Sequence, residues 1–164
     1  MHLVVGYLLS DGIAHGINLE HNSTLQYLYF LDQIGIAVSP SSNNFLFLKI
    51  DKSPFLKFLK RGLNVSLSTD DPTVFHVSSH PLLEEYSICR IHWSLTNTDL
   101  SEIARNSVIQ SGFSDEWKQR HLNLAIVPCV RLAFREQILN HERDFIWMMG
   151  SARTSCKQAA SNNI

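Results

Sequence analysis

The sequence predicts an α/β fold with parallel strands, cut from a larger closed barrel, and three observations carry that expectation. Short apolar runs at residues 12–17, 36–38 and 63–68 are each followed by a helical segment, and a parallel return to the same sheet edge needs such a crossover. The polar or ionisable residues of each unit fall at the C-terminal end of its strand: His15, then Ser39 to Asn44, then Asp70 and Asp71. That edge is where barrels and open parallel sheets bind ligands. The chain has 164 residues, whereas an eight-stranded barrel needs about 250. Two strand edges are therefore expected to be unpaired and one sheet face poorly covered.

The elements follow in order. Met1 to Ser10 is apolar but lacks a basic leader and a small-residue cleavage site, so it reads as a buried helix. Gly12 to Ile17, with glycines on either side of His15, reads as the first strand. Asn22 and Ser23 offer an N-cap, Leu25, Leu28, Tyr29 and Leu31 carry an apolar face, and Gly35 is a suitable breaker. Ile36 to Val38 is the second strand, ending in the polar loop Ser39-Pro40-Ser41-Ser42-Asn43-Asn44. Ser53-Pro54 has the form of an N-cap with proline at the first helical position, and Phe55, Phe58 and Leu59 recur at helical spacing up to Arg61-Gly62. Leu63 to Ser68 alternates as a strand until Pro72, which has no amide to donate. Helices are expected over 82–93, 99–110, 114–122 and 128–149, and residues 150–164, rich in Ser, Ala, Asn and Thr, read as a flexible polar tail. Residues 1–149 hold no interdomain linker.

Composition narrows the function. Fourteen Lys and Arg against fifteen Asp and Glu, with 45% hydrophobic residues, describe a globular chain with no clustered positive charge for nucleic acid or an anionic membrane. No stretch reaches the roughly 18 apolar residues that span a bilayer. Cys89, Cys129 and Cys156 are odd in number and form no C-x-x-C pair, which fits a reducing cytosol.

The sharpest chemical feature is Ser66-Leu67-Ser68-Thr69-Asp70-Asp71-Pro72. Adjacent carboxylates at a strand end repel unless a cation or strong donors neutralise them, so a divalent metal is a natural partner; the bland alternative is that one of them caps the next turn. His15 can serve as a base, because an imidazole titrates near neutrality and Gly16 lets a ligand approach, although such a histidine is more often a satisfied core or loop residue. His76 and His80 stand four apart, but Pro81 disfavours helical geometry at His80, so both read as loop residues. No H-E-x-x-H, Walker loop, G-x-S-x-G elbow or H-x-E…P-C-x-x-C set occurs.

Taken together, Ile13-Ala14-His15-Gly16-Ile17, Ser39-Pro40-Ser41-Ser42-Asn43-Asn44, Ser66 to Pro72, Glu84-Glu85-Tyr86-Ser87-Ile88 and Glu102 to Val108 resemble the AMP deaminase family of the barrel-type adenosine/AMP deaminases and their metal-dependent relatives. The likeness covers residues 2 to 120 and, more weakly, Val130 to Arg135, with a shorter stretch than the family's between Leu122 and Val130. It implies the C-terminal portion of a (β/α)8 TIM-type barrel, strands six to eight, followed by C-terminal helices. It also implies zinc-dependent hydrolysis of AMP to IMP and ammonia, with Asp70 a zinc ligand and His15 the catalytic proton acceptor. Asp71, Pro72, Thr73 and Val74 would bind substrate. The family's H-x-H and H-x-G-E elements, which supply the other zinc ligands and the glutamate that protonates the purine, do not occur in these 164 residues. The isolated chain is therefore expected to be inactive, with the remaining zinc ligands outside it. The resemblance further implies a cytosolic homo-oligomer, a tetramer. Two other readings stay open: a non-catalytic paralogue that binds a full-length deaminase, and an adenosine deaminase.

Overall fold

Strands β1 (Gly12–Ala14), β2 (Gly35–Val38) and β3 (Val65–Leu67) form one sheet in that order, both pairs parallel. Ile13 faces Ile36 across the first pair, and Ile36 faces Val65 across the second, so these side chains share one face of the sheet. The coordinates are a computed structural model that describes residues 10–122 and 127–161. The helix expected near the start falls, over residues 1–9, outside the described residues. The chain divides into two units, residues 1–128 and 129–164.

In the first unit, β1 leads through a 3₁₀ turn to helix α1 (Ser23–Asp32). Its N-cap is Asn22, whose Oδ1 accepts from the Leu25 amide at 2.9 Å, as the sequence led one to expect. Its C-terminal cap is not Gly35 but Gln33, left-handed at φ 51°, which pins the turn by donating Nε2 to the Phe30 carbonyl at 2.8 Å. Gly35 begins β2 instead, and a Cβ there would come within 2.8 Å of the Gln110 side chain.

Residues 39–44, expected as a loop, open helix α2 (Pro40–Leu46), with Pro40 at the first position. Helices α3 (Phe55–Lys60) and α4 (Pro72–Phe75) flank β3, and α5 (Pro81–Trp93), α6 (Asn97–Gln110) and α7 (Asp115–Leu122) follow. A capping box between Thr96 and Asp99 starts α6 two residues earlier than expected.

The sheet has two unlike faces. Ile36, Val38, Val65 and Leu67 lie in the core with Tyr29 of α1, Phe55 and Phe58 of α3 and Ile103 of α6. The opposite face carries only small residues, Ala14, Ala37 and Ser66 in register. Ala14 is exposed. Among the described residues no strand pairs with the outer edge of β1. The outer edge of β3 is less bare than expected, since the Asn106 side chain of α6 donates to the Val65 carbonyl at 3.0 Å.

The second unit is one helix, α8 (Cys129–Ser161). It passes Met149, where the sequence suggested an end. Beyond Gly150 there is no proline, and Ala152, Arg153, Lys157, Gln158, Ala159 and Ala160 are good helix formers. No described helix is long and apolar enough to cross a membrane.

Candidate active site

His15 follows β1 directly and Asp70 lies three residues beyond β3, and each has left-handed backbone, φ 62° and φ 55°. A side chain in that region costs on the order of 1 kcal/mol, less for Asp, whose short polar side chain bonds locally. The return is geometric. The His15 amide still donates to the Ala37 carbonyl at 2.8 Å, after which the chain turns and brings the imidazole Nε2 to 3.7 Å from Asp70 Oδ2. Gly16, also left-handed, has no alternative, since a Cβ would meet Ile36 at 2.8 Å.

Helix α2 holds both groups from between them. Ser42 donates its hydroxyl to Asp70 Oδ2 at 2.6 Å, and Asn43 Oδ1 lies 2.8 Å from His15 Nδ1. Both residues are buried, whereas the His15 and Asp70 side chains are about 30% exposed (28% and 31%). Since Oδ1 only accepts, Nδ1–H is the donor, and in the uncharged form of the ring Nε2 then carries the lone pair. Two electron-rich atoms, Nε2 and Oδ2, thus face each other at 3.7 Å, too far for a direct hydrogen bond. A proton, a water hydrogen or a cation satisfies both. Phe47 stands edge-on to the imidazole, ring centroids 5.8 Å apart.

Asp71 lies at the N-cap of α4, where its carbonyl accepts from the Val74 and Phe75 amides. The side chain makes no capping bond, so the backbone starts the turn and the carboxylate is left exposed. Pro72, Thr73 and Val74 are exposed and belong to the single turn of α4. His76 and His80 lie outside helices, as expected, but His76 is not a plain loop residue. Its side chain is buried, and Nε2 pairs with Glu85 Oε1 at 2.9 Å. Glu85 also accepts from the Ser41 amide, at 3.2 Å to Oε2. Burial pushes the Glu85 carboxyl above the usual range, against the lowering effect of the Ser41 amide and His76.

The donor set fits part of a metal site. Asp70 offers a strand-end carboxylate and His15 a ring nitrogen facing it, both reachable from solvent. Among the described residues no group of three His, Cys, Asp or Glu side chains is placed to hold an ion, and a catalytic zinc takes about three protein ligands. Ser42, Asn43 and Glu85 went unnamed as site residues in the sequence. Ser39-Pro40 repeats the Ser-Pro helix-start signature at Ser53-Pro54 and would have pointed to the first two.

This arrangement of parallel strands with ligand-type residues at their C-terminal ends has solved counterparts. An adenine deaminase from Arthrobacter aurescens superposes with a TM-score of 0.67 at 24% identity, covering 74% of this chain and 37% of that one. An amidohydrolase from Burkholderia ambifaria, with bound zinc, gives 0.65 at 23%, covering 85% and 38%. The chain shares the fold of the matching part of both proteins. The AMP deaminase family model matches residues 1–149, and the chain belongs to that family. AMP deaminase of Schizosaccharomyces pombe is 51% identical over 148 residues, 86% of this chain and 18% of that protein. The Dictyostelium discoideum enzyme is 55% identical over 121 residues, 74% of this chain and 15% of its own. The chain thus spans less than a fifth of the length of either relative.

Proposed function

We propose that this chain supplies the C-terminal share, strands six to eight, of a barrel that hydrolyses AMP to IMP and ammonia. The observation that carries the reading is the His15–Asp70 pair, facing across the sheet edge and held by Asn43 and Ser42. In the reaction the purine C6–N bond breaks, a C6–O bond forms, and a proton from the attacking water leaves with ammonia. His15 takes that proton at Nε2, because Asn43 keeps the other proton on Nδ1. Asp70, oriented by Ser42, would be one ligand of a single zinc ion, and Asp71 with Pro72, Thr73 and Val74 would line the substrate side. When bound, such an ion acidifies the attacking water. The other zinc ligands and the general acid would come from H-x-H and H-x-G-E segments outside this sequence. The same reading takes the enzyme as a cytosolic homotetramer.

The test is complementation. The 164-residue chain is mixed with the Schizosaccharomyces pombe enzyme lacking its matching 148 residues, and ammonia release is followed with zinc and either AMP or adenosine. The expected result is no release from either part alone and release from AMP by the mixture. Turnover of AMP by the chain alone at about 1 per second, ordinary for an enzyme, would overturn the shared site. Preference for adenosine would make this a nucleoside deaminase. Stable association of the two parts without turnover would favour the non-catalytic partner reading.

A further inference from the structure

Glu85 is a fully buried carboxylate on α5, and its contacts run to two segments that meet at the candidate site. One is the start of α2: the Ser41 amide donates to Oε2 at 3.2 Å and to Oε1 at 3.4 Å. The neighbouring residue, Ser42, is the one that donates to Asp70. The other is the arm that leaves Asp70 through α4, which His76 closes on Oε1 at 2.9 Å with its side chain 1% exposed. Glu84 extends the grip on that arm, accepting from the Ser78 amide at 2.6 Å and the Val77 amide at 3.3 Å. Consecutive positions on a helix point about 100° apart. The Glu-Glu pair can therefore put one carboxylate into the core and leave the other at its margin.

A buried carboxylate is costly unless donors meet it, and a leucine at a core position on α5 would carry no such cost. What Glu85 does that leucine cannot is bond to both segments at once. We propose that Glu85 is a positioning residue. It locks the first turn of α2 to the 70–76 arm, and so sets the Ser42–Asp70 hydrogen bond and the His15–Asp70 separation. The link between the two segments is structural and stands without the proposed reaction. Its effect on catalysis rests on that reading.

The experiment compares the 164-residue chain with its Glu85→Ala and Glu85→Gln variants by NMR. In Glu85→Ala the Ser41 amide is expected to exchange about tenfold faster or more, the worth of one hydrogen bond to a charged group. The Asp70 carboxyl carbon and the Ser42 amide are expected to shift, while the Ile36 and Val65 amides of the sheet keep their protection. Glu85→Gln, which retains the volume and one acceptor, should restore the Asp70 signal in part. Unshifted Asp70 and Ser42 signals beside a deprotected Ser41 amide would overturn the proposal. If Glu85→Ala does not fold, Glu85→Gln and His76→Gln are read at the same two signals, and Asp70 unmoved in both overturns it equally. In the complemented AMP assay, Glu85→Ala should lower kcat about 10- to 100-fold with KM little changed, as for other residues that orient a metal ligand from behind. An inert wild-type mixture with a shifted Asp70 signal counts against the AMP reading and supports the positioning role. An active mixture with Asp70 unmoved overturns the positioning role alone.

Discussion

Asn43 Oδ1 lies 2.8 Å from Nδ1 of His15, so a buried amide from one strand–helix unit meets an imidazole in another. A neutral ring held this way presents Nε2 as an acceptor on the side of Asp70. Asn43→Ala should release that choice. Ring nitrogen shifts are expected to show His15 as the Nδ1–H form in the chain and as a mixture of forms in the variant. Deamination in the complemented assay should fall about 10- to 100-fold. A ring that keeps the same form in Asn43→Ala would show that Asn43 does not set it.

On the proposed assignment this sequence supplies one zinc ligand, Asp70, too few to retain the metal by itself. After dialysis against zinc-free buffer the isolated chain should hold much less than one ion, because about three protein ligands are the rule for a catalytic site. The complemented mixture should retain zinc, and Asp70→Asn should lower that content by exchanging a charged oxygen donor for a weak one. Elemental analysis reads both. One zinc per isolated chain would mean that ligands within these 164 residues complete a site.

How far this site could be read in advance depended on which residues speak for themselves. His15 stands at a strand end next to Gly16, and Asp70 beyond another, two residues before Pro72, where local pattern and topology agree on their place. Ser42 and Asn43 do not, because Ser and Asn are weak helix formers that favour caps and turns. Helix α2 forms over them with tertiary partners for one polar atom of each, Asp70 for the Ser42 hydroxyl and His15 for Asn43 Oδ1. Glu85 was concealed for a different reason. Two glutamates in a helix match a solvated face, and only the folded chain shows that one of them faces His76 and Ser41. In the same way Gln33, not a glycine, ends α1, because its own side chain bonds the last turn.

Gly35 is where a fold constraint can be tested apart from function. A methyl group there would lie 2.8 Å from Cγ and 2.9 Å from Cδ of Gln110. That side chain cannot swing away freely, since it accepts from the Ser66 hydroxyl at 2.8 Å and donates to the Asn64 carbonyl at 2.7 Å. Gly35→Ala should therefore destabilise the chain by about 1–3 kcal/mol, the range for overpacking a filled site. The double variant Gly35→Ala, Gln110→Ala should lose less than the sum of the single changes. Urea unfolding measures both, and strict additivity would show that the two side chains do not compete for space.

Glu85 also gives the chain a definite pH signature. Its carboxyl is raised by burial, so the native state binds a proton more tightly than the unfolded state does. A raised carboxyl contributes stability in full below its unfolded value, about 4.3, and that contribution is lost as pH rises from there through the native value. Glu84 has the opposite sign. Hydrogen bonds from Ser78 hold it below the usual range, so its contribution is present above about 4.3 and is lost as pH falls through its native value. The two windows lie on either side of the ordinary glutamate pKa and can be separated. Unfolding free energy measured by urea titration should decline with rising pH just above that value in the wild-type chain. Glu85→Gln should flatten that decline and leave the acid-side loss in place, whereas Glu84→Gln should do the reverse. An unchanged decline in Glu85→Gln would mean that Glu85 enters the fold already ionised, with His76 and the Ser41 amide compensating its burial in full.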